Sequence, residues 1–328
     1  MESFIFAVNA VSPIILTVAI GYLLKKAGLI NLNLAKAMNK LVFRVFLPSM
    51  LFLNVYTIQD IGTMDLGYIL YSAIALLIIF GIAVPLVILF EKNSGRRGGL
   101  LQAVFRSNYA LIGIPLAESL FGGEGAIIAT VLSAAAIPLF NVLAVISLTV
   151  FRSGSEKPSI KQILLDIVKN PLIQSIAFGL VVLIIRAIFA KAQISFRLDD
   201  IQTLFTVLRY LSNLATPLAL LVLGAQFEFS AISALRREIL FGTLARTVFV
   251  PILGIGTAWL FFSNTFGGAH FAAFVAMFAT PVAVSSVPMA QEMDGDTELA
   301  GQLVIWTTLI SAFSVFLISY LLKWGGIF

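Results

Sequence analysis

The chain has 328 residues, 60% of them hydrophobic and 11% charged, where a soluble domain has about 45–50% apolar and about 25% charged residues. That balance excludes a water-soluble fold and points to lipid, where about 20 apolar residues make one span. The net charge of +5 lies in short loops, not in a nucleic-acid footprint. With no cysteine and one histidine, His270, there is no basis for disulfide, thiolate or His-cluster metal chemistry, and no cofactor is expected.

Apolar stretches predict ten membrane helices at about 4–24, 38–57, 66–90, 99–121, 125–151, 171–190, 203–224, 239–262, 270–291 and 298–322. The first begins at Phe4 without a preceding basic region or a clear cleavage site, so it reads as a retained span rather than a signal peptide. The loop after span 1 carries Lys25, Lys26 and Lys36, and the loop after span 3 carries Lys92, Arg96 and Arg97. The loop after span 5 carries Arg152, Lys157, Lys161 and Lys169, and the loop after span 7 carries Arg236 and Arg237. Loops 58–65, 122–124 and 263–269 have no Lys or Arg, and only Lys191 and Arg197 interrupt the alternation. The positive-inside rule then places both termini outside. The longest hydrophilic connection contains Lys157-Pro158 and reads as a hinge. It divides the chain into a five-helix repeat at 1–151, a cytoplasmic linker at 152–170 and a second five-helix repeat at 171–328. Five is odd, so the second repeat is inverted relative to the first.

The halves also correspond in detail. Pro13 and Gly21 of span 1 match Pro171 and Gly179 of span 6. Leu47-Pro48 of span 2 matches Thr216-Pro217 of span 7, and Gly113-Ile-Pro115 of span 4 matches Ser286-Val-Pro288 of span 9. The offset between halves grows from 158 to 169 to 173, as loop insertions require. Spans 4 and 9 are the ones that proline interrupts, in Asn108-Tyr-Ala-Leu-Ile-Gly113-Ile-Pro115 and in Thr280-Pro281-Val-Ala-Val-Ser285-Ser286-Val-Pro288. Proline removes an N–H and clashes with the preceding turn. A break in mid-membrane survives only where protein or a water-filled cavity satisfies the freed backbone. Paired breaks in two halves point to the binding site of a secondary transporter. Each break creates a half-helix N-terminus with partial positive charge, which suits an anion. Pro115 would begin one half-helix. Ser285 or Ser286 would cap another near Pro288, or Thr280 would cap one near Pro281, and the repeat favours Pro288. Asn108 lies about two turns before Pro115, within reach of the crossing. Either break alone also reads as a plain kink.

Other polar residues inside spans carry two readings each. Arg246 lies about 15 Å deep in span 8 and Arg106 some seven residues into span 4. Both are candidates for an anion pathway, with snorkelling to the surface as the alternative. Arg44 and Arg209 read as snorkelling. Glu118 reads as an outer-surface carboxylate, with a coupling proton as the alternative. Asn54 and Asn141 read as inter-helix hydrogen-bond formers, with lining a cavity as the alternative. The acidic stretch Glu292–Glu298 reads as a solvated turn, and Gly224 as a helix C-terminus.

Asn108 to Pro115 with Leu116, Leu221-Val-Leu-Gly224-Ala225, Pro281 through Val287-Pro288, Thr297-Glu-Leu-Ala300, Gly21-Tyr-Leu-Leu-Lys-Lys-Ala-Gly28 and Phe46-Leu47-Pro48 together resemble the auxin efflux carrier family. The resemblance covers essentially the whole chain. It implies an all-α polytopic fold of ten transmembrane helices as two inverted five-helix repeats, with broken helices 4 and 9 crossing at the substrate site. It also implies a dimerising scaffold of spans 1, 2, 6 and 7 and a moving transport domain of spans 3–5 and 8–10, in a fold similar to bile-acid/sodium symporters. The central loop is short where many plant members have a long regulated one, and bacterial members are associated with small dicarboxylates such as malate or malonate.

The expected function is therefore elevator-type secondary transport of a small organic anion across a bacterial inner membrane. The expected site is Asn108, Gly113, Pro115, Ser285, Ser286 and Pro288 with Arg246 and Arg106, and Glu118 as the coupling candidate. The expected partners are the anion, the bilayer and a second copy of the chain, with proton or sodium coupling left open. The alternative is a sodium- or proton-coupled exchanger, which would want a mid-membrane carboxylate pair that no predicted span core holds.

Overall fold

A computed structural model describes residues 2–57, 66–153 and 159–328; the side chains of residues 2–8, 10 and 11 are not among those described. The Lys157-Pro158 hinge and loop 58–65 lie outside the described residues. The described chain is helical, with one isolated antiparallel bridge between Ser107 and Val282. In order, the helices are α1 (Glu2–Lys26), α2 (Leu32–Leu41), α3 (Leu47–Tyr56), α4 (Leu66–Phe90), α5 (Ser94–Phe105), α6 (Ile114–Val150), α7 (Ile160–Lys169) and α8 (Pro171–Lys191). Then come α9 (Gln202–Gln226), α10 (Ala231–Ala234), α11 (Arg236–Leu244), α12 (Thr257–Phe262), α13 (Gly268–Phe278), α14 (Ser286–Glu292) and α15 (Thr297–Trp324). Single π-turns join α2 to α3, lead into α6, and link α11 towards α12.

Among the described residues, seven helical runs are long and apolar enough to cross a membrane, and Gly268–Phe278 is a shorter apolar helix. One of the seven, Tyr109–Val150, covers two predicted spans. It is not straight. Phe121 has φ −139° and ψ 23°, and Gly122 takes φ +63°, a conformation that glycine adopts without a Cβ penalty. Tyr109 Oη donates to the Ala129 carbonyl at 2.8 Å, although a straight helix would separate those residues by about 30 Å. The chain therefore reverses at the predicted loop 122–124.

Two helix crossings depend on glycine. Where α1 lies on α9, a Cβ on Gly21 would overlap the Leu221 carbonyl and one on Gly224 would overlap the Val18 carbonyl. Gly224 therefore permits a backbone approach between helices, and the helix continues two residues further, to Gln226. Where α8 lies on α3, a Cβ on Gly179 would press on Val55. Small residues let membrane helices approach closely where no hydrophobic effect drives them together. Beyond α3, Tyr56 Oη donates to Asp199 Oδ1 at 2.6 Å and Arg186 Nη1 donates to the Tyr56 carbonyl at 2.9 Å. The Tyr56 hydroxyl holds the Asp199 carboxyl below its ordinary range.

The other helices gather around α13. It packs on α6; α5 packs on α4 and α6; and α15 packs on α11. Arg96 ties three of these elements at one end, donating to Glu238 Oε1 at 2.8 Å and to Asp296 Oδ2 at 3.1 Å. Asp296 also caps α15 by accepting from the Leu299 N–H at 2.9 Å, which gives the predicted acidic turn a structural role. Side chains such as Ile74 and Ile78 on α4, Ile184 and Ile188 on α8, and Phe249 and Ile252 near α12 point outward. That exposure is the reverse of a water-soluble surface and suits lipid tails. Arg44 and Arg209 are exposed.

Candidate functional site

Both helix breaks exist, but neither sits at the proline the repeat favoured. α5 ends at Phe105, Arg106–Asn108 leave the helix, and helix resumes at Tyr109. Pro115 lies in the first turn of α6, seven residues after Asn108. It widens the turn before it: the Ile114 N–H reaches back five residues to the Tyr109 carbonyl, a π-turn that accommodates the ring. In the second half α13 ends at Phe278 and α14 begins at Ser286. Pro281 is inside the break, whereas Pro288 is buried in the first turn of α14. The first N–H groups of a helix have no intrahelical partner, so proline is tolerated there. The preference for Pro288 as the break of span 9 is thereby corrected.

The two breaks run antiparallel, and their backbone groups are satisfied by each other and by α15. The Asn108 N–H donates to the Pro281 carbonyl at 2.8 Å, and the Val282 N–H donates to Thr307 Oγ1 at 3.2 Å. The hydroxyls of Ser107 and Thr280 share a hydrogen bond of 2.5 Å, and both reach the Ala276 carbonyl. Thr280 therefore does not cap a helix. Ser107 was not singled out in the sequence. It stands 173 residues before Thr280, the same offset as Pro115 to Pro288, so the repeat contained the signal.

Neither Arg106 nor Arg246 snorkels: they are 2% and 0% exposed. Their surroundings differ. Arg246 donates through Nε to the Thr280 carbonyl at 2.7 Å and through Nη2 to the Met277 carbonyl at 2.9 Å. Its Nη1 reaches the carbonyls of Val104 and Phe105 at 3.2 and 3.4 Å. It thus gathers carbonyls from the C-terminal ends of α5 and α13. Arg106 faces the opposite ends. Its Nη2 donates to Ser285 Oγ at 2.9 Å and Asn141 Oδ1 at 2.8 Å, and its Nη1 to Gln102 Oε1 at 2.7 Å and Ser286 Oγ at 3.4 Å. Ser285 holds the N-cap position of α14 but makes no side-chain cap; it serves Arg106 instead. Among the described residues, no carboxylate pairs with either guanidinium.

A cleft of about 50 Å³ opens beside Arg106. Its polar side is Arg106, Ser107, Asn108, Asn54, Asn141 and Ser285, and its apolar side includes Leu47, Met50 and Leu51 of α3, Leu172 of α8 and Phe140 of α6. Asn108 is 9% exposed, and its Nδ2 has no hydrogen-bond partner. The structure thus brings Arg106, Asn108 and Ser285 to the cleft, with Ser286 just behind. Gly113 lies instead against Ala276, Pro288 receives a hydrogen bond from Asn39 on its carbonyl, and Arg246 is sealed behind the crossing. Pro115 and Glu118 are exposed, away from the cleft. Asn141, read as an inter-helix hydrogen-bond former, does bridge α6 to Arg106. A second cavity of about 330 Å³ lies between Lys36 of α2, Gln226 of α9, Gln291 of α14 and Gln302 of α15. Gln226 Nε2 donates to Gln291 Oε1 there at 2.8 Å.

The sequence pattern described as membrane transport protein matches residues 6–319. The chain is similar to a protein of Methanothermobacter thermautotrophicus described as an uncharacterized transporter. The two are 25% identical over 327 residues, covering 95% of this chain and 97% of the relative. With the crossed breaks and the apolar helices, these matches show that the chain belongs to the membrane transport protein family, the auxin efflux carrier family.

Proposed function

We propose that this protein is a secondary transporter of a small organic anion, bound at the cleft beside the crossed breaks. The observation that carries the reading is Arg106: a buried guanidinium with no carboxylate partner, lining a cleft beside the unpartnered amide of Asn108. A buried charge without a counter-ion is costly, and inside a membrane such a residue marks a substrate path. The N-terminal ends of α14 and of the helix starting at Tyr109 add about half a positive charge each. The anion's carboxylate completes the set that Arg106 and Asn108 leave open. One cationic side chain lines the cleft against several apolar ones, which favours one carboxylate on an apolar body over a dicarboxylate. The cleft's 50 Å³ holds a few waters, well below the roughly 300–1,000 Å³ of ligand pockets, so the walls part to admit substrate.

We read the chain as ten spans in two inverted repeats. The Ser107–Thr280 pair supports this, since equivalent residues meet only near a two-fold axis. The glycine crossings add to it. Gly21 backs on Leu221, and its counterpart Gly179 backs on Phe52, which precedes Leu221 by the same 169 residues that separate Pro48 from Pro217. The packing of α1, α3, α8 and α9 on one another supports a scaffold that dimerises, and the helices around α13 a body that carries the site in an elevator-type movement. The 330 Å³ cavity between α2, α9, α14 and α15 fits a vestibule on the Lys/Arg-rich side. Charge alternation supports both termini outside a bacterial inner membrane. The sodium- or proton-coupled alternative lacks its carboxylate: among the described residues, none lines the cleft.

The test is uptake into proteoliposomes of a panel running from malate and malonate to monocarboxylates with aromatic bodies. We expect saturable uptake of a panel member, reduced at least tenfold by Arg106→Gln and by Asn108→Ala. Absence of uptake across the panel, or variants as active as the parent, rejects the reading.

A further inference from the structure

We propose that Arg246 is a built-in cation occupying the position that a coupling ion takes in carriers with crossed, broken helices. In such carriers the coupling cation is held by unwound backbone carbonyls and by the C-terminal ends of half-helices. Those are the groups that surround Arg246. Val104 and Phe105 supply carbonyls from the last turn of α5, Met277 from the last turn of α13, and Thr280 from the break.

The charges balance without a carboxylate. Each helix C-terminus carries about half a negative charge, so two together offset about one guanidinium. The guanidinium also matches the geometry: its fan of N–H donors meets carbonyls arriving from two helices. The site is closed, since Arg246 is 0% exposed. An arginine keeps its proton across physiological pH. The charge at this position is therefore permanent and neither leaves nor arrives during a cycle. Neither a sodium ion nor a proton is exchanged here.

The two arginines divide the crossing electrostatically. Arg246 neutralises the C-terminal, negative side; Arg106 stands with the N-terminal, positive side. Only the positive side then has an unmet demand for an ion, and that ion is an anion. The inference about Arg246 concerns the opposite side from the cleft, so a failure to find a transported anion leaves it intact.

Thermal unfolding of the purified full-length protein tests it. Sodium chloride is titrated against choline chloride at constant ionic strength, with the parent chain, Arg246→Lys, Arg246→Met and Arg246→Gly, and methylguanidinium chloride is titrated into Arg246→Gly. We expect no saturable, sodium-specific rise in melting temperature for the parent. Arg246→Met should melt well below the parent, and Arg246→Lys between them, because charge rather than volume is required. Arg246→Gly should be restored saturably by methylguanidinium and not by choline. A sodium-specific stabilisation of the parent overturns the proposal, as does Arg246→Met matching the parent or methylguanidinium leaving Arg246→Gly unchanged. If Arg246→Gly does not fold, the sodium titration of the parent and the Lys/Met comparison decide.

Discussion

Arg106 and Arg246 look alike in the sequence: each is a lone arginine some way into an apolar stretch. Their surroundings make opposite predictions for stability. Removing Arg246 leaves several carbonyls at the helix ends without donors, each costing about 1–3 kcal/mol. Arg246→Met is expected to destabilise by at least about 3 kcal/mol, read as a lower denaturation midpoint. Removing Arg106 takes away an unpaired buried charge, and two of the acceptors it leaves, Ser285 and Asn141, border a cleft that water can enter. Arg106→Met is expected to melt within a few degrees of the parent, or above it, while losing uptake, as when a site strained for function is relaxed. A collapse of both variants would refute this division of roles.

Among the helices, proline and glycine were legible by position and misleading in detail. Pro115 and Pro288 mark the right segments, but the chain departs from helix upstream of each: Pro288 sits in the first turn of α14, where its missing N–H costs nothing, and Pro115 follows a π-turn that accommodates its ring. We therefore expect Pro115→Ala and Pro288→Ala to change stability by less than about 1.5 kcal/mol, measured by thermal unfolding. The glycines invite a graded comparison. Gly224 faces backbone of α1, whereas Gly179 faces the side chain of Val55. The overlap of a Gly224 Cβ with the Val18 carbonyl is much deeper than that of a Gly179 Cβ with Val55 Cβ, so Gly224→Val is expected to cost more than Gly179→Val, beyond the roughly 1–3 kcal/mol usual for overpacking. Equal costs would contradict the close approach of α1 to α9.

For the molecule as a whole, movement between two groups of helices is the testable claim. The chain contains no cysteine, so introduced pairs react alone. Gln226 of α9 and Gln291 of α14 meet across the proposed boundary, while Arg96 and Asp296 meet within the helices around α13. A short bifunctional maleimide on Gln226→Cys/Gln291→Cys is expected to abolish uptake, and the same reagent on Arg96→Cys/Asp296→Cys to spare most of it. Uptake that survives the first cross-link would rule out an elevator movement at this boundary.

Composition and hydropathy alone determined that this chain belongs in lipid, and proline spacing marked its two broken segments as a pair. These properties are local: they depend on runs of neighbours and on backbone rules that act within a turn. Only the tertiary structure decided where the helices actually open and what each buried polar group meets. Arg246 is held by carbonyls more than 140 residues away, at Val104 and Phe105, and Ser107 finds Thr280 across the crossing. Whether a buried charge is neutralised or left waiting for a ligand depends on such distant partners, and no window along the chain contains them.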